Sequence, residues 1–312
     1  MGEAIAVGAR FLQFAGALVV TGSSLFFLYG MKVAPATSAG AQPWQRSLLV
    51  RASACALAGT VAWILAETAL VGEGWQDALH PANVWTLVSG TRFGRAAFAR
   101  AAVLATALLV LRISIRPRTA WGTVASLGAA ATATFAWTGH GAMDRGPAGW
   151  VHLGSDLIHL LCAGLWLGAL APLAILAWRS ERAPSLASVG ETVFGLVRFS
   201  SIGIAVVALL ALTGLVNSWF LIGPAHWQAL LTDGYGLALA VKIVLFGLML
   251  VLAARNRYRH TPALQKMTSI DDGDAPGVRA LRSALWGESL LALAVLVAVA
   301  LLGTLTPPVS LD

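Results

Sequence analysis

Charge is scarce in this sequence: Asp, Glu, Lys and Arg together make up 11% of its 312 residues, against 58% hydrophobic residues. That shortage excludes an ordinary water-soluble globule, in which about a quarter of residues are charged. Cysteine is sparse as well. Cys55 and Cys162 both lie inside apolar runs, where a cysteine reads as a small hydrophobe and not as part of a disulfide framework. A P-loop, a Rossmann fingerprint, an HExxH pair and a nucleophile elbow are all missing, so nothing points to nucleotide-driven or common hydrolytic chemistry. The DDGD run at 271–274 lacks the spacing and closing Glu of a calcium loop. A net charge of +7 would suggest nucleic acid in a soluble chain. Here the Lys and Arg are parcelled out among short loops, and no nucleic-acid partner is read.

What the chain has in abundance is long apolar runs, with a mean hydropathy of +0.77. Stretches long enough to span a bilayer fall at roughly 8–30, 48–71, 96–115, 120–138, 153–178, 199–222, 236–254 and 286–306. The expected fold is therefore all-α: a polytopic membrane protein, a bundle of eight transmembrane helices forming one domain over 1–312. The first stretch reads as a span and not as a cleaved leader, because its apolar core is long and Lys32 follows it. Tryptophans near the predicted helix ends, such as Trp75, Trp150 and Trp178, read as interfacial anchors.

Most of the 21 basic residues fall in the loops after the first, third, fifth and seventh stretches, whereas the other side carries Arg10, Arg92, Arg95, Arg100 and Arg145. The positive-inside rule then places both termini on the periplasmic side. This orientation has a second consequence. His80, His140, His152, His159 and His226 all fall on or near the outer face, leaving His260 alone on the inner one. Imidazole is the commonest metal ligand, and an outward-facing metal mouth needs such a bias.

The stretch Gly139–Trp166, GHGAMDRGPAGWVHLGSDLIHLLCAGLW, concentrates this chemistry. In a helix beginning near Trp150, His152, Asp156 and His159 are spaced four and three residues apart and project from one face. An Asp at mid-bilayer costs on the order of 2.5–3.5 kcal/mol, so such groups face a bundle interior or a polar cavity. His152 and His159 are about 10.5 Å apart along a straight helix, which favours two successive sites or one site completed from a neighbouring loop. His140 and Met143 can supply that completion, since imidazole with thioether suits copper better than hard cations; otherwise they are plain loop residues. Asp156 is either a direct ligand or an acceptor that fixes an imidazole tautomer. Cys162, one turn beyond His159, is either a soft ligand or packing.

Depth along each helix puts Gln13, Glu67, Asp156, His159, Asn217 and Lys242 in the outer half, and a shared polar cavity is the economical expectation. Glu67 and Lys242 would form an ion pair or proton relay there, or a purely structural pair. Glu288 reads as an inner exit or as a residue snorkelling to the interface. Gly164 and Gly168 have the spacing that permits close helix contact.

Gly139-His140, Asp156 to Leu160 and Trp166 to Gly168, followed by Arg198 to Ser200, Thr213-Gly214, Asn217, Tyr235-Gly236, Lys242, Asn256, Glu288 and Pro307, resemble in order and spacing the copper resistance protein D (CopD) family. The motifs are strongest over 139–308. The resemblance implies a multi-pass protein of the bacterial inner (plasma) membrane that takes copper, Cu(I) or Cu(II), inward from the periplasm and is not an enzyme. It implies a small periplasmic CopC-type copper-binding partner acting in trans. It singles out His140, Asp156 and His159 as site residues, with Trp166 and Lys242 in support. Where family members carry a histidine in the first helix, this chain has Gln13 as the nearest polar residue, which weakens a ligand role for that helix.

The expected metal residues are thus His140, Met143, His152, Asp156 and His159, with Glu67, Trp166, Asn217 and Lys242 along the path. Two rival readings are a scaffold for assembling other copper proteins and a haem- or quinone-linked membrane electron carrier. The second needs two deep histidines on facing helices, and His159 alone is deep.

Overall fold

The computed structural model describes residues 2–32, 43–72, 74–114, 116–183, 185–223, 226, 228–266 and 275–311. The DDGD run lies outside the described residues. Helices account for nearly all of them: α1 (Gly2–Tyr29), α2 (Pro43–Val71), the short α3 (Trp75–Ala78) and α4 (Pro81–Gly90), α5 (Arg92–Ile113), α6 (Pro117–Ala133), α7 (Gly146–Arg182), α8 (Leu186–Leu221), the short α9 (Ala229–Thr232), α10 (Gly234–Arg255), the short α11 (Thr261–Gln265) and α12 (Ala275–Leu302). Among the described residues there is no strand.

Seven of these helices are long and apolar enough to cross a membrane. They correspond to seven of the eight expected stretches. The remaining stretch is α6, 17 α-helical residues followed by a 3-10 turn at Thr134–Trp137. Helices start where local chemistry dictates. Pro opens α4, α6 and α7 within the first turn, where its missing N–H has no helical partner to lose. Thr91, Ser185 and Asp233 cap α5, α8 and α10 through their side-chain oxygens.

The bundle is organised around α1, which touches α2, α6, α7 and α12 and is the most buried of the spans. Small residues allow this. A Cβ on Gly22 would lie 2.2 Å from the Gly164 carbonyl oxygen, and one on Gly168 would lie 2.0 Å from the Leu18 carbonyl oxygen, so the Gly164/Gly168 pair is where α1 crosses α7. Pro172 sits inside α7 and cannot donate to the carbonyl four residues earlier. That carbonyl belongs to Gly168, and Ser23 Oγ of α1 donates to it at 2.7 Å.

Two arginines read from sequence as outer-face loop charges are inside the bundle instead. Arg10 of α1 is 6% exposed and Arg100 of α5 is 0% exposed. Arg100 donates to Gln13 Oε1 (2.6 Å), Thr134 Oγ1 (2.8 Å) and Thr138 Oγ1 (2.9 Å) and stacks 3.8 Å over the Phe135 ring. Three neutral acceptors and an aromatic face are how a guanidinium is tolerated away from water. The same grip fixes the turn that leads into Gly139 and His140.

On the far side of α7, α8 lies along α7 and α10 along α12, whereas α8 and α10 make no extensive contact with each other. Both are mostly exposed along their apolar faces, as lipid-facing helices are.

Candidate functional site

The site is built on the first four turns of α7. Gly146 has a φ of 71°, a left-handed conformation that suits glycine, and it turns the chain sharply into the helix. His152 is 1% exposed. Its Nδ1 lies 2.6 Å from Asp144 Oδ2, and its ring stacks on Phe220 of α8 with centroids 4.6 Å apart and 5° between planes. A carboxylate at this distance accepts, so Nδ1 carries a proton, and Nε2 is the nitrogen through which the neutral ring can ligate.

One turn on, Asp156 accepts from Asn217 Nδ2 of α8 at 3.3 Å. Its other oxygen lies 2.6 Å from where a Cβ on Gly141 would be. Only a glycine lets the 3-10 turn at His140–Ala142 come this close to the carboxylate. The His140 side chain lies outside the described part of the structure, but its backbone begins this turn.

His159 Nδ1 lies 3.0 Å from Thr213 Oγ1. The Thr213 hydroxyl donates its proton to the Leu209 carbonyl at 2.6 Å, so its oxygen accepts from His159. The second imidazole is therefore also held as the Nδ1–H tautomer, with Nε2 free to ligate. Ser155 Oγ donates to the Thr213 carbonyl at 3.2 Å, tying the same turn of α8 to α7. Asn217 Oδ1 is buried without a hydrogen-bond partner, an unused oxygen donor beside Asp156.

From α10, the Lys242 ammonium is close enough for its charge to act on both Asp156 and His159. Tyr235, one of the buried residues of the same helix, lies within electrostatic reach of Asp156. The geometry thus brings together His152, Asp156, His159, Asn217 and Lys242, with the His140 turn alongside. Among the described residues no three His, Cys, Asp or Glu side chains converge as a preformed metal cage. His152, Asp156 and His159 form a row of donors one turn apart.

Other expected residues go elsewhere. Met143 is 53% exposed beside this end of α7. Trp166 is 3% exposed and meets Phe246 edge-on at 5.7 Å; with the buried Cys162 it belongs to the apolar packing beneath the site. Glu67 is not near Lys242 electrostatically. Its charged neighbour is Arg10, and its aromatic neighbour is Trp63. Gln13 faces Arg100 and Thr60. The expected single cavity is therefore two polar groups, one around Arg10, Arg100 and Glu67, the other around Asp156. Glu288, 2% exposed, accepts a short hydrogen bond from Asn256 at the π-helical turn Asn256–His260.

Sequence reasoning missed Asp144 and Phe220, the neighbours of His152. It saw Thr213 only as part of a motif.

The N-terminal domain model described as copper resistance protein D-like matches residues 1–150, and the model described as copper resistance protein D matches residues 195–302. The chain is 33% identical over 310 residues to copper resistance protein D of Pseudomonas syringae pv. tomato, covering 98% of both chains. The chain belongs to the copper resistance protein D family. The chain is also 29% identical to the inner membrane protein YebZ of Escherichia coli K12, over 96% of this chain and 98% of that one. It is 31% identical over 192 residues to the copper transport protein CutJ of Bacillus subtilis 168, covering 59% of this chain and 34% of CutJ. No solved structure gives a significant match.

Proposed function

We propose that this protein handles copper in the bacterial inner membrane, taking the ion from the periplasmic side at His152, Asp156 and His159 and passing it inward. The observation that carries the reading is the state of the two imidazoles. Both have Nδ1 engaged, by Asp144 and by Thr213, so Nε2 is the nitrogen left to ligate on each ring, one turn of α7 before and after Asp156. Imidazole, carboxylate and the spare Asn217 amide oxygen suit Cu(II) better than Cu(I). The soft donors Cys162 and Met143 sit in apolar packing and at the exposed edge. His140 enters as the ligand brought by the turn that Gly141 presses against Asp156.

Lys242 lies within electrostatic reach of Asp156, and a copper ion at Asp156 would take over that interaction. Without a nucleotide-binding element, movement follows a gradient, a carrier's affinity or proton exchange, and no covalent substrate is turned over. A CopC-type periplasmic protein in trans is the proposed donor. The proposed topology is one membrane unit with eight spans and both termini outside. At 1.5 Å per α-helical and 2.0 Å per 3-10 residue, α6 with its 3-10 extension reaches about 34 Å, enough for a core of about 30 Å.

The test is copper bound per protein, supplied as Cu(II) or Cu(I), for wild type, His159→Ala and His140→Ala. Loss of about one equivalent in either variant supports the site. Equal binding by all three, or none by wild type, removes it and leaves the scaffold reading. Uptake into proteoliposomes then decides whether bound copper moves.

A further inference from the structure

Away from the copper site, a cavity of about 420 Å³ lies between α1, α7 and α12, and its lining is almost wholly apolar. Alanines make its floor: Ala15 of α1, Ala171 and Ala174 of α7, and Ala292 of α12. It runs along α12 from Trp286 to Leu296. Ten residues at 1.5 Å give about 15 Å, the depth of one leaflet of a 30 Å hydrocarbon core. Trp286 and Trp178, 49% and 39% exposed, stand at the same end of it, as residues of the membrane interface do.

Trp178 also lines a second cavity, of about 230 Å³, whose walls include Arg179, Arg182 and Glu191. Arg182 lies 4.6 Å over the Trp178 ring. Nearby, Arg279 and Arg282 are both taken up by Glu181. The second cavity is thus left with two exposed arginines against one carboxylate. An apolar slot one leaflet deep, ending in a tryptophan that it shares with a basic polar cavity, has the shape and charge of a phospholipid.

We propose that the α1–α7–α12 groove and the adjoining Arg179/Arg182 cavity bind one anionic glycerophospholipid, an acyl chain in the groove and the headgroup phosphate on the arginines. This site is independent of the copper reading.

The full-length protein is reconstituted in vesicles of equal parts phosphatidylglycerol and phosphatidylcholine with matched acyl chains, extracted, and examined by native mass spectrometry. Wild type is expected to retain one phosphatidylglycerol, preferred over phosphatidylcholine roughly 30-fold, the combined effect of two arginines. Arg179→Gln with Arg182→Gln, both on the surface, removes the preference. Ala171→Phe fills the groove and removes retention, in a protein whose helicity and elution match wild type. Equal retention of the two lipids by wild type, or a preference unchanged in the double variant, overturns the proposal. So does unchanged retention in Ala171→Phe, which would mean that the arginines act on bulk surface charge alone.

Discussion

Thr213 accepts a hydrogen bond from His159 across the α7–α8 contact, at 3.0 Å, because its own proton is committed to the Leu209 carbonyl. This threonine sets which nitrogen of His159 faces the site. Thr213→Val keeps the shape and removes the acceptor. Copper affinity is expected to fall about 10–100-fold, with Thr213→Ser close to wild type. Competition with a chelator of known affinity measures both, and a Val variant that binds like wild type would falsify the tautomer argument.

Asp144 plays the same part for His152. Asp144→Asn is expected to weaken copper binding about tenfold or more. Because the two residues act as a unit, adding Asp144→Asn to His152→Ala should cost little more than His152→Ala alone. Full additivity in that double-mutant cycle would show that Asp144 acts elsewhere.

Gly141 tests the approach of the His140 turn. A methyl group there would lie 2.6 Å from Asp156 Oδ2, so Gly141→Ala pushes the carboxylate or the turn aside and lowers copper occupancy. Gly154, on α7 itself, has open space where a Cβ would go, and Gly154→Ala is the matched control with wild-type occupancy expected. Equal behaviour of the two variants in elemental analysis counts against the turn as part of the site.

On the proposed reading, Lys242 competes with the ion for Asp156. Removing its charge with Lys242→Met is expected to tighten equilibrium copper binding by at least about tenfold and to slow release. Weaker binding in a variant of unchanged helicity would mean that the lysine supports the site.

Ser23 supplies the donor that Pro172 denies to Gly168. Ser23→Ala leaves that carbonyl unpartnered in the bundle and should cost about 1–2 kcal/mol, seen as a lower unfolding midpoint with copper stoichiometry intact. An unchanged midpoint would assign the carbonyl another partner.

Seven of the eight expected spans were legible because hydropathy and length suffice for them, and the His152, Asp156, His159 face was legible because four- and three-residue spacing fixes direction on a helix. The direction in which residues on different helices face was not. Gln13 turns toward Arg100 and Glu67 toward Arg10, away from Asp156. Arg10 and Arg100 looked like loop charges because burying a guanidinium needs partners distant in sequence, which no local pattern announces. Asp144 was hidden for a related reason: it meets His152 through a loop, where no periodicity operates.

Polar groups of α1 find their partners on helices that follow it in the chain. Arg100 comes from α5 to hold Gln13, Thr132 from α6 to meet Thr21, Gly168 from α7 to take the Ser23 proton, and Gly303, just past α12, lies against the Arg10 guanidinium. During translation these polar groups of α1 therefore stay unmatched until α5, α6 and α7 have followed it. A chain stopped short of α7 leaves the Ser23 hydroxyl without its interhelical acceptor.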